Sequence, residues 1–325
     1  MTVSPLIKLA AACGFALLCS PPAFAQSNYP SRPIHFIVPF PPGGGAESTA
    51  RLIGIKLSEA VNQPVVVETR AGAGGNIGTE TVVNAAPDGY TILLSTNGTA
   101  IQPHLQKLAW DPIRDLAPVS LVATYSLVIA AHPSTPGKTL AQMVAYAKAN
   151  PGKLTYGSSG TGGPLHLGAE MFKKAAGVDI LHVPYKGNAP ATLAILSGEV
   201  NLTFDSLVGP LPNIRAGKLR ALATTGTRRA AMLPEVPTVT ETGVARFSYE
   251  SWNGISAPAA TPKEIVQRLN TEIVRIVAMP EVRKQLGGLG YEPVSTTTAQ
   301  FAGRIASDYQ RYGRVIKELD LKPDQ

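Results

Sequence analysis

Ile34-His-Phe-Ile-Val-Pro-Phe-Pro-Pro-Gly-Gly-Gly-Ala-Glu-Ser-Thr-Ala-Arg51 decides how this chain is read. Residues 34–38 are β-branched and aromatic, as in a buried strand, and the run is cut by Pro39 and the Pro41-Pro42 pair. Gly43, Gly44 and Gly45 follow, and a helical pattern opens at Glu47 and Ser48. A strand that passes into a helix through a glycine loop leaves backbone N–H groups pointing out of the helix end. The helix dipole adds positive potential there, so the place suits an anion.

The device recurs. Lys153-Leu-Thr-Tyr156 reads as a strand, Gly157-Ser-Ser-Gly-Thr-Gly-Gly-Pro164 as a loop rich in glycine and hydroxyls, and 165–176 as a helix. A weaker copy is the strand 90–95 followed by Thr96-Asn-Gly-Thr99. Reactive signatures are missing. Gly72-Ala-Gly-Gly-Asn-Ile-Gly78 has its last glycine one place too late for a dinucleotide fingerprint, and no Walker-type Gly-Lys-Ser/Thr occurs. Gly157-Ser-Ser-Gly160 has the wrong spacing for a nucleophile elbow, and the five histidines show no metal-ligand spacing. Several anion-friendly loops without a reactive group describe a site that holds a molecule rather than transforms it. The rival is an exported α/β hydrolase using Ser158 or Ser159 with His166 and Asp205.

Strand and helix alternate from 34 to about 125, with helices expected at 46–61 and 77–86 and strands at 65–68 and 90–95. Such alternation gives a mainly parallel sheet covered by helices. The run 121–131 reads as one long strand that crosses into a second lobe. That lobe holds helices at 140–150, 165–176, 189–197 and 208–216 between strands at 153–156, 180–183, 202–204 and 219–224. The chain returns through 248–257, and helices at 262–278, 280–286 and 298–319 complete the first lobe. The expected division is therefore 26–124 plus 250–325 for lobe 1 and 125–249 for lobe 2. Trp252, in the returning segment, is expected to sense movement between them.

Residues 1–25 read as a secretory signal peptide: Lys8, an apolar stretch, and Ala23-Phe-Ala25 as the cleavage site. Both cysteines, Cys13 and Cys19, fall within it, so the mature protein relies on its core rather than on disulfides. Losing Lys8 lowers the formal net charge of +7 by one. The remaining basic residues are scattered and not interleaved with aromatics, which argues against nucleic acid. The expected location is the periplasm.

On these residues the chain resembles the Bug family of TctC-like periplasmic receptors, the substrate-binding component of tripartite tricarboxylate transporters. The resemblance rests on Tyr29-Pro-Ser-Arg-Pro33, Val38-Pro-Phe-Pro-Pro-Gly-Gly44, Pro64-Val-Val-Val-Glu68 and Arg70-Ala-Gly-Ala-Gly-Gly-Asn76. Ala86-Pro-Asp-Gly-Tyr90, Pro151-Gly-Lys-Leu-Thr-Tyr-Gly157, His182-Val-Pro-Tyr-Lys-Gly187 and Arg215-Ala-Gly-Lys-Leu-Arg-Ala-Leu222 continue it. It implies a type II periplasmic-binding-protein fold, two α/β lobes on a two-stranded hinge that close on a small carboxylate, partly through ordered water. It also implies a monomer without cofactor, metal or catalytic residues, whose partners are the membrane permease subunits; a signalling receptor would share the site. The contacts carried over are Phe40, Gly44, Ala46 and Glu47 on one side and Ser158, Ser159, Thr161 and Gly162 on the other. Ser95, Asn97 and Asp205 are assigned to the outer part of the ligand. The family has Asp where Glu47 stands.

Overall fold

Four of the five residues of Ile34–Val38 (β1) are buried, because the strand lies inside a sheet rather than at its edge. The computed structural model describes residues 29–321; the expected leader, its cleavage point and both cysteines lie outside the described residues. All elements below fall in the unit that begins at Arg32.

Helix α1 (Gly45–Val61) carries β1 into β2 (Val65–Thr69), and a short 3-10 turn with α2 (Asn76–Val83) carries β2 into β3 (Thr91–Thr96). β1 pairs in parallel with both β2 and β3, as βαβ units require. After the short α3 (Gly98–Ile101), the run expected as one crossing strand is two: β4 (Leu116–Ser126) and β5 (Val128–Ala131), in different sheets. The break falls at Leu127. Thr124-Tyr-Ser126 stands just before it, but the apolar run resumes at once with Leu127–Ala131, so the stretch reads as one strand.

The chain then builds α4 (Leu140–Ala149), β6 (Thr155–Ser158), α5 (Pro164–Ala176), β7 (Leu181–Pro184) and α6 (Asn188–Ser197). β8 (Leu202–Asp205), α7 (Pro210–Arg215) and β9 (Arg220–Thr224) follow. These strands form a sheet in the order β7-β6-β8-β5-β9, in which β5 alone runs antiparallel to its neighbours. The chain returns as β10 (Glu250–Pro258), antiparallel between β3 and β4, and ends with α8 (Lys263–Ala278), α9 (Pro280–Gly288), β11 (Glu292–Pro293) and α10 (Thr298–Glu318). The first sheet thus reads β11-β4-β10-β3-β1-β2. α10 starts on a capping box, with Thr297 and Gln300 each bonding the other's backbone N–H. Trp252 is fully buried against Leu121, Phe301 and Ile305 and donates to Asp308 (2.7 Å). Among the described residues no helix is long and apolar enough to cross a membrane.

The two crossings between sheets run side by side, and Thr225 joins them. Its hydroxyl accepts the Leu127 N–H (2.8 Å) and donates to the Tyr249 carbonyl (2.7 Å). Its own N–H donates to Leu127 O (2.9 Å) and its carbonyl accepts the Tyr249 N–H (2.8 Å). Thr225 is completely buried, so none of these groups has water as an alternative. Thr225→Val keeps the shape and strands one donor and one acceptor, at about 1–3 kcal/mol each. We expect chemical denaturation to show a loss of about 2–4 kcal/mol, against less than about 0.5 for Thr81→Val on the exposed face of α2. A loss below about 0.5 kcal/mol for Thr225→Val contradicts its role as the pin of the crossings.

Candidate functional site

Helix α1 is capped by Gly44 in extended conformation, and its first internal bond runs from Ser48 N–H to Gly44 O. The N–H groups of Gly45, Ala46 and Glu47 therefore stand outside the helical ladder. Helix α5 repeats the arrangement. Gly163 is its extended N-cap, Pro164 occupies the first position with no N–H to lose, and the ladder begins at Leu167 N–H to Gly163 O. Leu165 N–H lies outside that ladder.

Both helix ends open on one inner cavity of about 40 Å³. Phe40, Gly44, Gly45 and Ala46 line it from the first loop, and Ser159, Pro164 and Leu165 from the second. Thr96, Tyr125, Asn188, Asp205, Ser206 and Tyr291 complete the wall. No lysine, arginine or histidine is among the lining residues. Tyr291 fixes the geometry at the first helix end: a Cβ on Gly45 would fall 1.7 Å from the Tyr291 hydroxyl, so only glycine permits the approach. Tyr125 and Tyr291 pack ring against ring with centroids 4.7 Å apart. Burial pushes the Tyr125 hydroxyl up to about 12 and Tyr291 well above its ordinary value, so both stay neutral and able to donate. Asp205 is 3% exposed; its Oδ1 accepts from Asn188 Nδ2 (2.8 Å) and from Ser206 N–H (2.6 Å). Burial raises its carboxyl to about 7 despite those bonds.

Outside this cavity lies a groove of about 690 Å³, which shares Phe40 and Ser159 with it. Thr161 and Gly162 line the groove, together with residues 71–75 and 184–187; Lys186 is its one charged lining residue. Gln102 spans the rim, donating from Nε2 to Gly162 O (3.0 Å) and Gly74 O (3.3 Å).

Of the residues singled out by sequence, the structure brings Phe40, Gly44, Ala46, Ser159 and Asp205 to the inner cavity and Thr161 and Gly162 to the groove. Four line neither. Glu47 turns back along its own helix: Oε2 accepts the Gly43 N–H (2.7 Å) and Oε1 meets Arg51 Nε (2.7 Å). The Gly43 bond, aided by Arg51, holds this carboxyl below the usual range. Ser95 bonds Ser256 within the first sheet (2.8 Å). Asn97 is consumed by Tyr249, Tyr312 and Ser251, and Tyr249 passes its own proton to Pro164 O at the start of α5 (2.7 Å). Ser158 is the last residue of β6 rather than a loop residue, and its hydroxyl meets His182 Nε2 (2.7 Å) on the neighbouring strand.

Of the residues named for a hydrolase, Ser158 meets His182 rather than standing in the loop. His166 takes the Gly162 N–H on Nδ1 (3.2 Å) and stacks on His182, while Asp205 is occupied by Asn188 and Ser206. Tyr125, Asn188, Ser206 and Tyr291 were not legible as site residues; the Gly187-Asn188 pair before α6 was a local turn signal. Trp110, also not singled out for the site, donates to Asn76 (2.6 Å) and borders a small void beside Phe40, Gly74 and Thr96. Trp252 stands in the returning strand β10, as expected, with its indole buried under α10.

A family model described as the tripartite tricarboxylate transporter family receptor matches residues 49–321. Protein BugT of Bordetella pertussis is 37% identical over 301 residues, covering 92% of each chain. An R. palustris protein solved with adipate superposes with a TM-score of 0.87 and 34% identity, covering 91% of this chain and 100% of its own. MatC from Rhodopseudomonas palustris, solved with bound malate, gives 0.82 and 29%, covering 89% and 100%. With its two-sheet architecture and paired helix ends, the chain belongs to the tripartite tricarboxylate transporter receptor family, the Bug-type receptors with a periplasmic-binding-protein fold.

Proposed function

We propose that this protein binds a small carboxylate between two lobes, 26–124 plus 250–325 and 125–249, and hands it to the permease subunits of a tripartite tricarboxylate transporter. One observation carries the reading: two helix N-termini of different sheets open on one buried cavity that holds no cation. Their leftover N–H groups can each give a carboxylate a charge-assisted bond of about 1.5–3 kcal/mol, against ~1 for a neutral pair. Glu47 would repel such a ligand, but its charge is spent on Gly43 N–H and Arg51. The adipate and malate in the related structures support the ligand class. The leader over 1–25, cut after Ala25, would deliver the receptor to the periplasm as a monomer. It turns nothing over: the Ser158 hydroxyl is engaged by His182 on the neighbouring strand, and Ser158 does not line the cavity.

Calorimetric titration tests the reading. A C4–C6 mono- or dicarboxylate should bind, and its methyl ester or amide should not. Equal affinity for acid and ester would falsify the carboxylate reading.

Ligand binding should also change tryptophan emission through Trp110, which lies beside Phe40 and the groove wall, and not through Trp252. The change should survive Trp252→Phe and disappear in Trp110→Phe. The opposite pattern would put the moving region at β10.

A further inference from the structure

We propose that Asp205 couples carboxylate binding in the inner cavity to uptake of one proton, so that the ligand's charge enters the cavity neutralised. The inference rests on the carboxylate reading above and adds the group that must face the ligand. Asp205 and both helix ends line the same cavity of about 40 Å³, room for a few water molecules. A carboxylate held there lies within a few ångströms of the Asp205 carboxyl. Two like charges so close in a buried space do not both remain ionised.

Among the described residues none that lines the cavity is a cation, and Lys186 lines the adjoining groove instead. Tyr125 from β4 and Tyr291 from the turn before β11 face Asp205 as neutral hydroxyls. β5 and α6 contain no ionisable side chain. On β6, Tyr156 donates to Glu170 of α5, and Glu170 is paired with Lys173. His166 of α5 accepts from Gly162 N–H and stacks on His182 of β7. Glu47 of α1 is paired with Arg51, and Arg215 lies exposed at the far end of α7. Oδ1 of Asp205 already accepts two N–H bonds, so Oδ2 carries the proton, which comes from the solvent. The O–H then donates to the ligand carboxylate. Burial that raises the empty-cavity carboxyl to about 7 makes this protonation accessible near neutral pH.

The sign follows from linkage. Below about pH 7 the carboxyl already holds its proton, and affinity is flat; above it, binding must draw a proton in and weakens toward tenfold per pH unit. The test is calorimetry with adipate and with malate, in HEPES and in Tris, whose different ionisation enthalpies count protons. Uptake should approach one proton per ligand at about pH 8 and fall toward zero at about pH 6. In Asp205→Asn the uptake should vanish, and affinity at about pH 8 should exceed that of the wild type by roughly tenfold. Ligand bound with no proton uptake at either pH overturns the coupling and leaves the carboxylate reading intact, as does an Asp205→Asn protein that binds more weakly at both. If that variant does not fold, the wild-type proton count decides. Neither acid binding at either pH overturns the carboxylate reading itself, and the coupling with it.

Discussion

An anion drawn into this cavity meets no lysine, arginine or histidine, so the attraction must come from backbone dipoles and hydroxyls. Dipolar attraction is directional and falls off within a turn of the helix end. It therefore requires that two helices from different sheets keep their N-termini aimed at one point. Much of the remaining structure serves that demand. Gly45 lets the Tyr291 hydroxyl lie against the start of α1. Glu47 braces the preceding turn through Gly43 N–H. On the other side, His166 holds Gly162 N–H and Tyr249 holds Pro164 O.

The same logic separates what is rigid from what can move. Asn97, Tyr249, Tyr312 and Ser251 form a closed hydrogen-bond knot behind the cavity, and Thr225 fastens both crossing strands beside it. Buried, fully satisfied networks of this kind specify one arrangement, because any slip leaves a polar group unpaired. Contacts at the rim are different in kind. Gln102 reaches Gly162 and Gly74 through neutral bonds at the edge of the groove, each contributing about 1 kcal/mol.

How much of this was written locally in the sequence follows from the chemistry of each part. Helix ends are local: the glycine loops after β1 and β6 announce them through residues adjacent in the chain, so Phe40, Gly44, Ala46 and Ser159 were legible. The rest of the cavity wall is assembled over long separations. Tyr125, Asn188, Ser206 and Tyr291 come from a strand end, a helix start and two turns, and only the topology brings them together. Ser158 was misplaced because β6 extends two residues beyond the run 153–156, which converts a loop hydroxyl into a strand residue bonded to His182. The run 121–131 hid its break because the apolar pattern resumes at Leu127 right after Thr124-Tyr-Ser126.

The most direct measurement is a crystal structure of the protein with adipate or malate bound. The account predicts one ligand carboxylate in the inner cavity, its oxygens within hydrogen-bond distance, directly or through one ordered water, of N–H groups from Gly45 or Ala46 and from Leu165. A ligand seated instead in the outer groove near Lys186, with neither helix end donating to it, would contradict the account.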